Sequence, residues 1–461
     1  MKKPWGARFT EPLDQDVLAF TSSIPIDTAL YRQDIFGSIA HVRMLAKVGV
    51  ITQKERAELV QALEAILQDI DAGVFGFGPE QEDVHMAIEE ELTRRLGELA
   101  HKLHTARSRN DQVVLDLSLF LKEAIQRVLS ALKGYRVQLL TLASLHTETP
   151  IPAFTHMRPA QNVSLAHYLL AFYELTKKDQ ARFQRVSEGL ALCPIGSGAL
   201  GGSDLPIDRF YEATLLGFDM PTPNSLESVS NRDVLLDFLY AVATGFVSLS
   251  RLAEDFILFS SPAYGFFAFP DRYCTGSSLM PHKKNPDVLE LIRGRASLAV
   301  SSLSGLLTLF KGLPMGYNRD MQEDKRHLFA SYPVYEESLR MTTALIGGME
   351  VNLERLEAMA SDPCLGCVDL VEFLVKKGMA FRKAYELVGG IVKACEASGK
   401  SLANLTLDEL RQFSGLFDES ALTLFSPMAQ LRARQSYGSP SPRAVRHQIE
   451  TAACNEGIRL A

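Results

Sequence analysis

The chain has 461 residues, 46 % hydrophobic and 22 % charged, as in a soluble globular protein of two or three domains with a large core. Its formal net charge is −7, so no basic excess argues for nucleic acid or an anionic membrane surface as a partner. No apolar run follows Met1-Lys2-Lys3-Pro4-Trp5-Gly6, which argues against a signal peptide, and the least charged apolar stretch, Phe238 to Ser250, is too short to span a bilayer.

Proline placement outlines the architecture. No proline occurs between Pro79 and Pro150, Pro159 and Pro194, Pro223 and Pro262, or Pro286 and Pro314. Proline breaks helix interiors, so these intervals permit long helices. Residues 1–106 read as a first domain of shorter helices, such as Lys54 to Asp71, with a glycine-rich break from Gly73 to Pro79. Residues 107–355 read as a central bundle of long helices. Within it, Asp111 to His146 carries Leu115, Leu119, Leu121, Ile125 and Leu129 with charges to one side. Asn231 to Phe259 is apolar nearly all round, as suits a helix inside a bundle. Residues 356–461 return to shorter helices. Strand-like alternation is sparse, so the expected class is all-α: a long central helix bundle flanked by two smaller helical domains.

Four polar clusters stand out in this frame. His104 to Gln112 places Arg107 and Arg109, two hydroxyls and Asn110 at the start of a long helix, which suits an anion. Thr155-His156 precedes another helix. Gly276 to Asn285 is a mobile, hydroxyl-rich loop with Lys283 and Lys284, and Asn285-Pro286-Asp287 reads as a helix start with Asn285 as N-cap. Tyr317 to Lys325 adds tyrosine, arginine, glutamine and lysine. Taken singly, these are also compatible with a capped helix start, a surface turn, a solvated loop and a helix surface.

Six cysteines are scattered through the chain, which suits a reducing cytoplasm. Cys364 and Cys367 form a lone C-x-x-C with no second pair for zinc, and Cys274 lies beside the serine loop. No H-E-x-x-H, Walker or G-x-G-x-x-G pattern occurs, so no metal and no cofactor is expected.

In order, HTARSRND at 104–111, THMRPAQ at 155–161, GSSLMPHKKN at 276–285 and YNRDMQEDK at 317–325 resemble the blocks of the argininosuccinate lyase family. This is a branch of the fumarase/aspartase superfamily that also includes delta-crystallin. Trp5 to Phe9, Ser23 to Asp27, Glu82 to His85 and Gly196 to Gly202 match as well, so the resemblance covers nearly the whole chain. Departures are Ala100-His101 where glycines are common, Tyr385 where histidine is frequent, and the Cys364/Cys367 pair.

The resemblance implies cleavage of argininosuccinate to arginine and fumarate. It makes Ser277 the base and His156 the acid toward the leaving nitrogen, with the microscopic assignment between them open. Lys283 and Asn285 stabilise charge on the substrate carboxylate, and Glu290 supports His156. It gives Ser23, Asn110, Thr155, Tyr317, Gln322 and Lys325 to substrate binding, with Arg109 a further carboxylate contact. It also implies a homotetramer whose active sites are shared between subunits. A sibling lyase for another succinyl substrate, such as adenylosuccinate, and an inactive lens-type structural protein are the rival readings. The intact Ser277, His156, Lys283 and Asn110 argue against the second.

Overall fold

Local sequence sets the helix starts. Helix α1 runs Tyr31–Lys47, α2 Gln53–Asp71 and α3 Val84–Leu96. Thr52 and Glu55 close a capping box on α2: Thr52 Oγ1 accepts the Glu55 N–H at 3.2 Å, and the Glu55 carboxylate accepts the Thr52 N–H at 2.7 Å. The Asp83 carboxylate caps α3 through the Met86 N–H at 2.8 Å. Helix α4, Arg109–Leu145, follows Ser108, whose Oγ accepts the Asn110 N–H at 3.2 Å. Next come strands β1, Pro150–Thr155, and β2, Arg158–Ser164, then α5, Leu165–Gly189. Helix α6 is Asp233–Ser260; β3, Thr275–Gly276, and β4, Lys284–Asn285, precede α7, Asp287–Phe310. Helix α8 is Asp324–Gly348, and the C-terminal part contains α9, Cys367–Lys376, α10, Phe381–Ser398, and α11, Pro442–Glu456.

This computed structural model describes residues 11, 13–78 and 80–460; the Trp5 to Phe9 match lies outside them. The fold is all-α in class, as the proline-free intervals predict, and the sheets among the described residues are two-stranded. The chain divides into two units. One takes in the chain to Leu129, Asp179–Phe246 and Ala296–Glu336; the other Ser130–Lys178, Val247–Arg295 and Glu337–Ala461. Each of α4 to α8 contributes a stretch to each unit.

In the first unit, α1, α2 and α3 bury Ile35, Val42, Leu45, Leu59, Leu63, Ile66, Val84 and Ile88 in one cluster. A second core is aromatic: Phe183 packs on Phe238 at 5.6 Å between ring centroids, and Phe246 on Tyr335 at 5.3 Å. Gly245 permits that approach, because a Cβ there would sit 2.2 Å from the Tyr335 hydroxyl oxygen. In the second unit, α9 and α10 bury Leu370, Leu374, Val388, Ile391 and Phe417. A buried ion pair, Arg136 to Glu456 at 2.5 Å, ties α4 to α11 there.

Two local expectations change. Asn285 is not the cap of α7: it lies in β4, and the helix begins at Asp287, where the Leu289 and Glu290 N–H groups reach the Pro286 carbonyl. The uncharged run Phe238 to Ser250 is the middle of α6, the one helix among the described residues long and apolar enough by length and composition to cross a bilayer; 50 % of its most apolar window is buried inside the protein.

Candidate active site

In the first unit a buried charge network gathers residues from distant parts of the chain. Ser23 lies at the start of the short helix Ile24–Asp27, and its hydroxyl donates to the Asp27 carboxylate. Lys325, in the first turn of α8, has its Nζ 3.6 Å from Asp27 and 3.5 Å from Asp324. Arg232 Nε donates to Asp324 at 2.8 Å. All five side chains are buried. Burial alone would lower the Lys325 pKa, but Asp324 and Asp27 outweigh it and raise it, so the ammonium is retained. Burial raises Asp27 against the pull of Lys325 and the Ser23 hydrogen bond. Asp27 Oδ1 and Arg232 Nη2 lack hydrogen-bond partners among the described residues. Two cations and two carboxylates balance within the network, which leaves one acceptor atom and one donor atom, both buried, without a partner among the described residues.

Around it, the segment after Tyr317 is tied to the N-terminal part. Gln322 Nε2 donates to the Thr21 carbonyl at 3.2 Å, and Arg319 Nη2 to the same oxygen at 2.7 Å. Arg319 also meets Glu82 at 3.0 Å, while Arg109 meets Asp83 at 3.1 Å. The Ser23 N–H closes this ring on the Glu82 carbonyl at 2.8 Å. Tyr317 is pushed up by burial, while the nearby Lys325 charge pulls it down. Asn110 Nδ2 donates to the Ala199 carbonyl at 3.1 Å, beside the glycine-rich Gly196 to Gly202 segment. That segment is docked by Asp111, which accepts the Gly196 and Gly198 N–H groups at 3.0 and 2.7 Å. Gly198 has φ +62° and the Gly202 carbonyl 2.9 Å from where a Cβ would stand, so glycine is required.

Ser23, Arg109, Tyr317, Gln322 and Lys325 therefore converge through shared partners. Sequence reasoning did not assign Asp27, Arg232, Arg319, Asp324, Glu82 or Asp83 to the site. Asp27, Glu82, Asp83, Arg319 and Asp324 stand inside matched blocks as neighbours of the assigned residues, whereas Arg232 lies outside all of them.

A second buried set backs this region. His85 Nδ1 lies 2.8 Å from Asp34 and 3.5 Å from Asp116, and the three offer ligand atoms within 4.8 Å of one another. Burial would lower His85, yet Asp34, Asp116 and Asp83 raise it to about 9. The protonated imidazole meets the Asp34 carboxylate through Nδ1, while burial and the Asp34 charge push Asp116 well above the usual carboxylate range. A histidine raised in the folded state stabilises fully below its unfolded value of 6.5, and that stability is lost as pH rises through about 9. Denaturant unfolding is expected to show wild type losing on the order of 3 kcal/mol more than His85→Gln across that window. Parallel pH curves for the two proteins would refute the pairing.

In the second unit, β1 and β2 pair Thr155 with Arg158 and leave His156 and Met157 as a two-residue turn. Both have positive φ, 52° and 59°, the type I′ pattern that glycine and asparagine usually occupy. The turn holds non-glycine residues in an unfavoured conformation and presents His156 to solvent. The hairpin is seated by Phe154, 6.0 Å from Phe259, and by Asn162 Nδ2, which donates to Gln430 at 2.7 Å.

Strands β3 and β4 pair Gly276 with Lys284 and close a loop from Ser277 to Lys283. Ser277 Oγ accepts the Leu279 and Met280 N–H groups at 3.3 and 3.0 Å. Lys283 is exposed, Asn285 Nδ2 donates to the Gly276 carbonyl at 3.5 Å, and Glu290 is exposed on the first turn of α7. Among the described residues of one chain, no hydrogen bond or ion pair joins Ser277, His156 and Glu290.

A lyase-family profile, described as "Lyase", matches residues 7–300, and one described as "Argininosuccinate lyase C-terminal" matches residues 365–432. The argininosuccinate lyase of Thioalkalivibrio sulfidiphilus is 44 % identical over 450 residues, covering 98 % of this chain and 96 % of that protein. Those of Alkalilimnicola ehrlichii and Moorella thermoacetica are each 45 % identical, over 97 and 98 % of this chain and 96 and 97 % of theirs. The chain belongs to the argininosuccinate lyase family. The membership read from the four motif blocks therefore stands, and the adenylosuccinate-type alternative is not favoured. An EDDS lyase crystallised with formate shares the fold at TM-score 0.83 and 27 % identity, with 96 % of this chain and 88 % of that one covered. The class II fumarase of Schistosoma mansoni, at TM-score 0.74 and 17 % identity over 89 % of this chain and 91 % of its own, shows the fold alone.

Proposed function

We propose that the protein is a carbon–nitrogen lyase that reversibly splits argininosuccinate into L-arginine and fumarate by β-elimination, serving arginine biosynthesis in the cytoplasm. The observation that carries this is identity of 44 to 45 % with argininosuccinate lyases along almost the entire chain. The chemistry fits. The substrate carries three carboxylates and a guanidinium, and the Lys325, Arg109, Ser23, Gln322 and Tyr317 group supplies cations and hydrogen-bond donors for such a molecule. Thr155 and Asn110 complete its binding.

Elimination needs a proton taken from carbon beside a carboxylate and a proton given to the leaving nitrogen. Ser277 takes the first in this reading. The two backbone N–H groups on its Oγ stabilise negative charge on that oxygen. Lys283 and Asn285 meet the charge that builds on the substrate carboxylate, and closure of the Ser277 loop excludes water. His156, supported by Glu290, serves the nitrogen. No step calls on a cofactor.

We further propose a homotetramer with shared sites. Exposed apolar pairs seven residues apart on α7, Leu291 with Leu298 and Val300 with Leu307, and Tyr240 with Val247 on α6, suit helix-on-helix packing between chains. The deciding experiment is release of fumarate from argininosuccinate by purified protein, followed by ultraviolet absorbance. Turnover of adenylosuccinate with none of argininosuccinate would overturn the assignment.

A further inference from the structure

The second unit contains a cavity of about 1500 Å³, lined by α5 from His167 to Lys177 on one side and by residues 432–455, which include most of α11, on the other. It exceeds the roughly 300–1,000 Å³ usual for small-molecule pockets, so an ordered ligand with its water fits inside. None of its lining residues belongs to the proposed catalytic or substrate-binding sets.

Its charge is one-sided. Lys177 is matched by Glu174 at 3.0 Å, and Arg434 by Asp369 and Glu372 at 3.0 and 3.2 Å. Three arginines remain. Arg432, at 3.6 Å, and Arg446, closer still, share the one carboxylate of Glu148. Arg443, in the first turn of α11, has no ion pair among the described residues. Three guanidiniums facing one carboxylate leave two positive charges unmatched in a chain whose net charge is −7, so the excess is local and not a general basic surface. The floor is apolar, with Leu170, Ala171 and Ala452. His167 Nδ1 is buried beside it without a hydrogen-bond partner, and burial lowers its pKa, leaving a neutral ring able to donate or accept.

We propose that this cavity binds a small polyanion, a molecule with two or more phosphate or carboxylate groups, gripped by Arg432, Arg443 and Arg446. Guanidinium forks match both groups bidentately. The concave wall and apolar floor select a compact molecule over an extended polymer. Glu148 acts as a place-holder that the ligand displaces from the two arginines.

Calorimetric titration of the full-length protein tests this, with inorganic pyrophosphate and with citrate, at about 0.1 M salt and with saturating fumarate occupying the proposed substrate site. The expected result is one site per chain with submillimolar affinity for at least one probe; which probe binds tighter identifies phosphate or carboxylate as the recognised group. Arg443→Glu should weaken binding about tenfold or more, and Glu148→Gln should tighten it by about fivefold, each with unchanged turnover in the absence of probe. Opposite signs from two exposed substitutions separate recognition from damage to the fold. Failure of both probes to bind, or affinities that neither substitution moves, would overturn the proposal while leaving the lyase reading untouched.

Discussion

Ser277→Ala is expected to lower kcat by a factor of roughly 10²–10⁴ while leaving substrate affinity within about tenfold. The oxygen it removes is the one that two backbone N–H groups already address, from Leu279 at 3.3 Å and Met280 at 3.0 Å. Those donors stabilise an alkoxide more than a hydroxyl, so they matter most as Ser277 takes a proton. Deleting the oxygen costs the fold little. Leu279 and Met280 are exposed, and water replaces Ser277 as acceptor for their N–H groups. Substrate affinity in this reading comes chiefly from Lys325, Arg109, Gln322 and Tyr317, which the substitution does not touch. Single-turnover and steady-state assays with a direct binding measurement separate the two effects. A variant keeping a tenth or more of wild-type kcat would remove Ser277 from proton transfer.

The sequence pattern showed the long helices wherever proline was absent and apolar residues ran on. The interval from Asp111 to His146 became α4, Arg109–Leu145, and that from Asn231 to Phe259 became α6, Asp233–Ser260. Helix α8 stayed hidden because Pro333 lies inside it. The β1–β2 hairpin stayed hidden because its turn is His156-Met157, with neither glycine nor asparagine to announce positive φ. Asn285 looked like a cap because Asn-Pro-Asp is a helix-start pattern, but it lies in β4, where its backbone pairs with Thr275 of β3. The site divides the same way. Residues inside matched blocks were visible singly, while the pairing of Lys325 with Asp27 joins positions nearly 300 apart in the chain. Such a contact has no local signature. Only the fold reveals that Ser23, Asp27, Asp324 and Arg232 form the setting of one ammonium.

Mixing two inactive variants, Ser277→Ala and His156→Asn, should restore activity. Each lacks one residue of the proposed proton-transfer pair. Asparagine tolerates the positive φ of position 156, so His156→Asn removes the imidazole without adding strain at the turn. Within one chain, no hydrogen bond or ion pair among the described residues joins His156, Ser277 and Glu290, and His156 and Glu290 are exposed. Helix α4 alone, at 37 residues and about 1.5 Å per residue, is about 55 Å long. Catalytic segments placed at the ends of such helices are brought together most directly by neighbouring chains in a symmetric assembly. If each site takes its serine from one chain and its histidine from another, equal mixing after joint denaturation should leave about a quarter of the sites with both residues intact. Specific activity should then recover to about a quarter of wild type, with unmixed controls inactive. Size-exclusion chromatography and differential tagging confirm that mixed assemblies form. Confirmed mixed assemblies with no activity above either parent would place both residues of each site on the same chain and end the shared-site proposal.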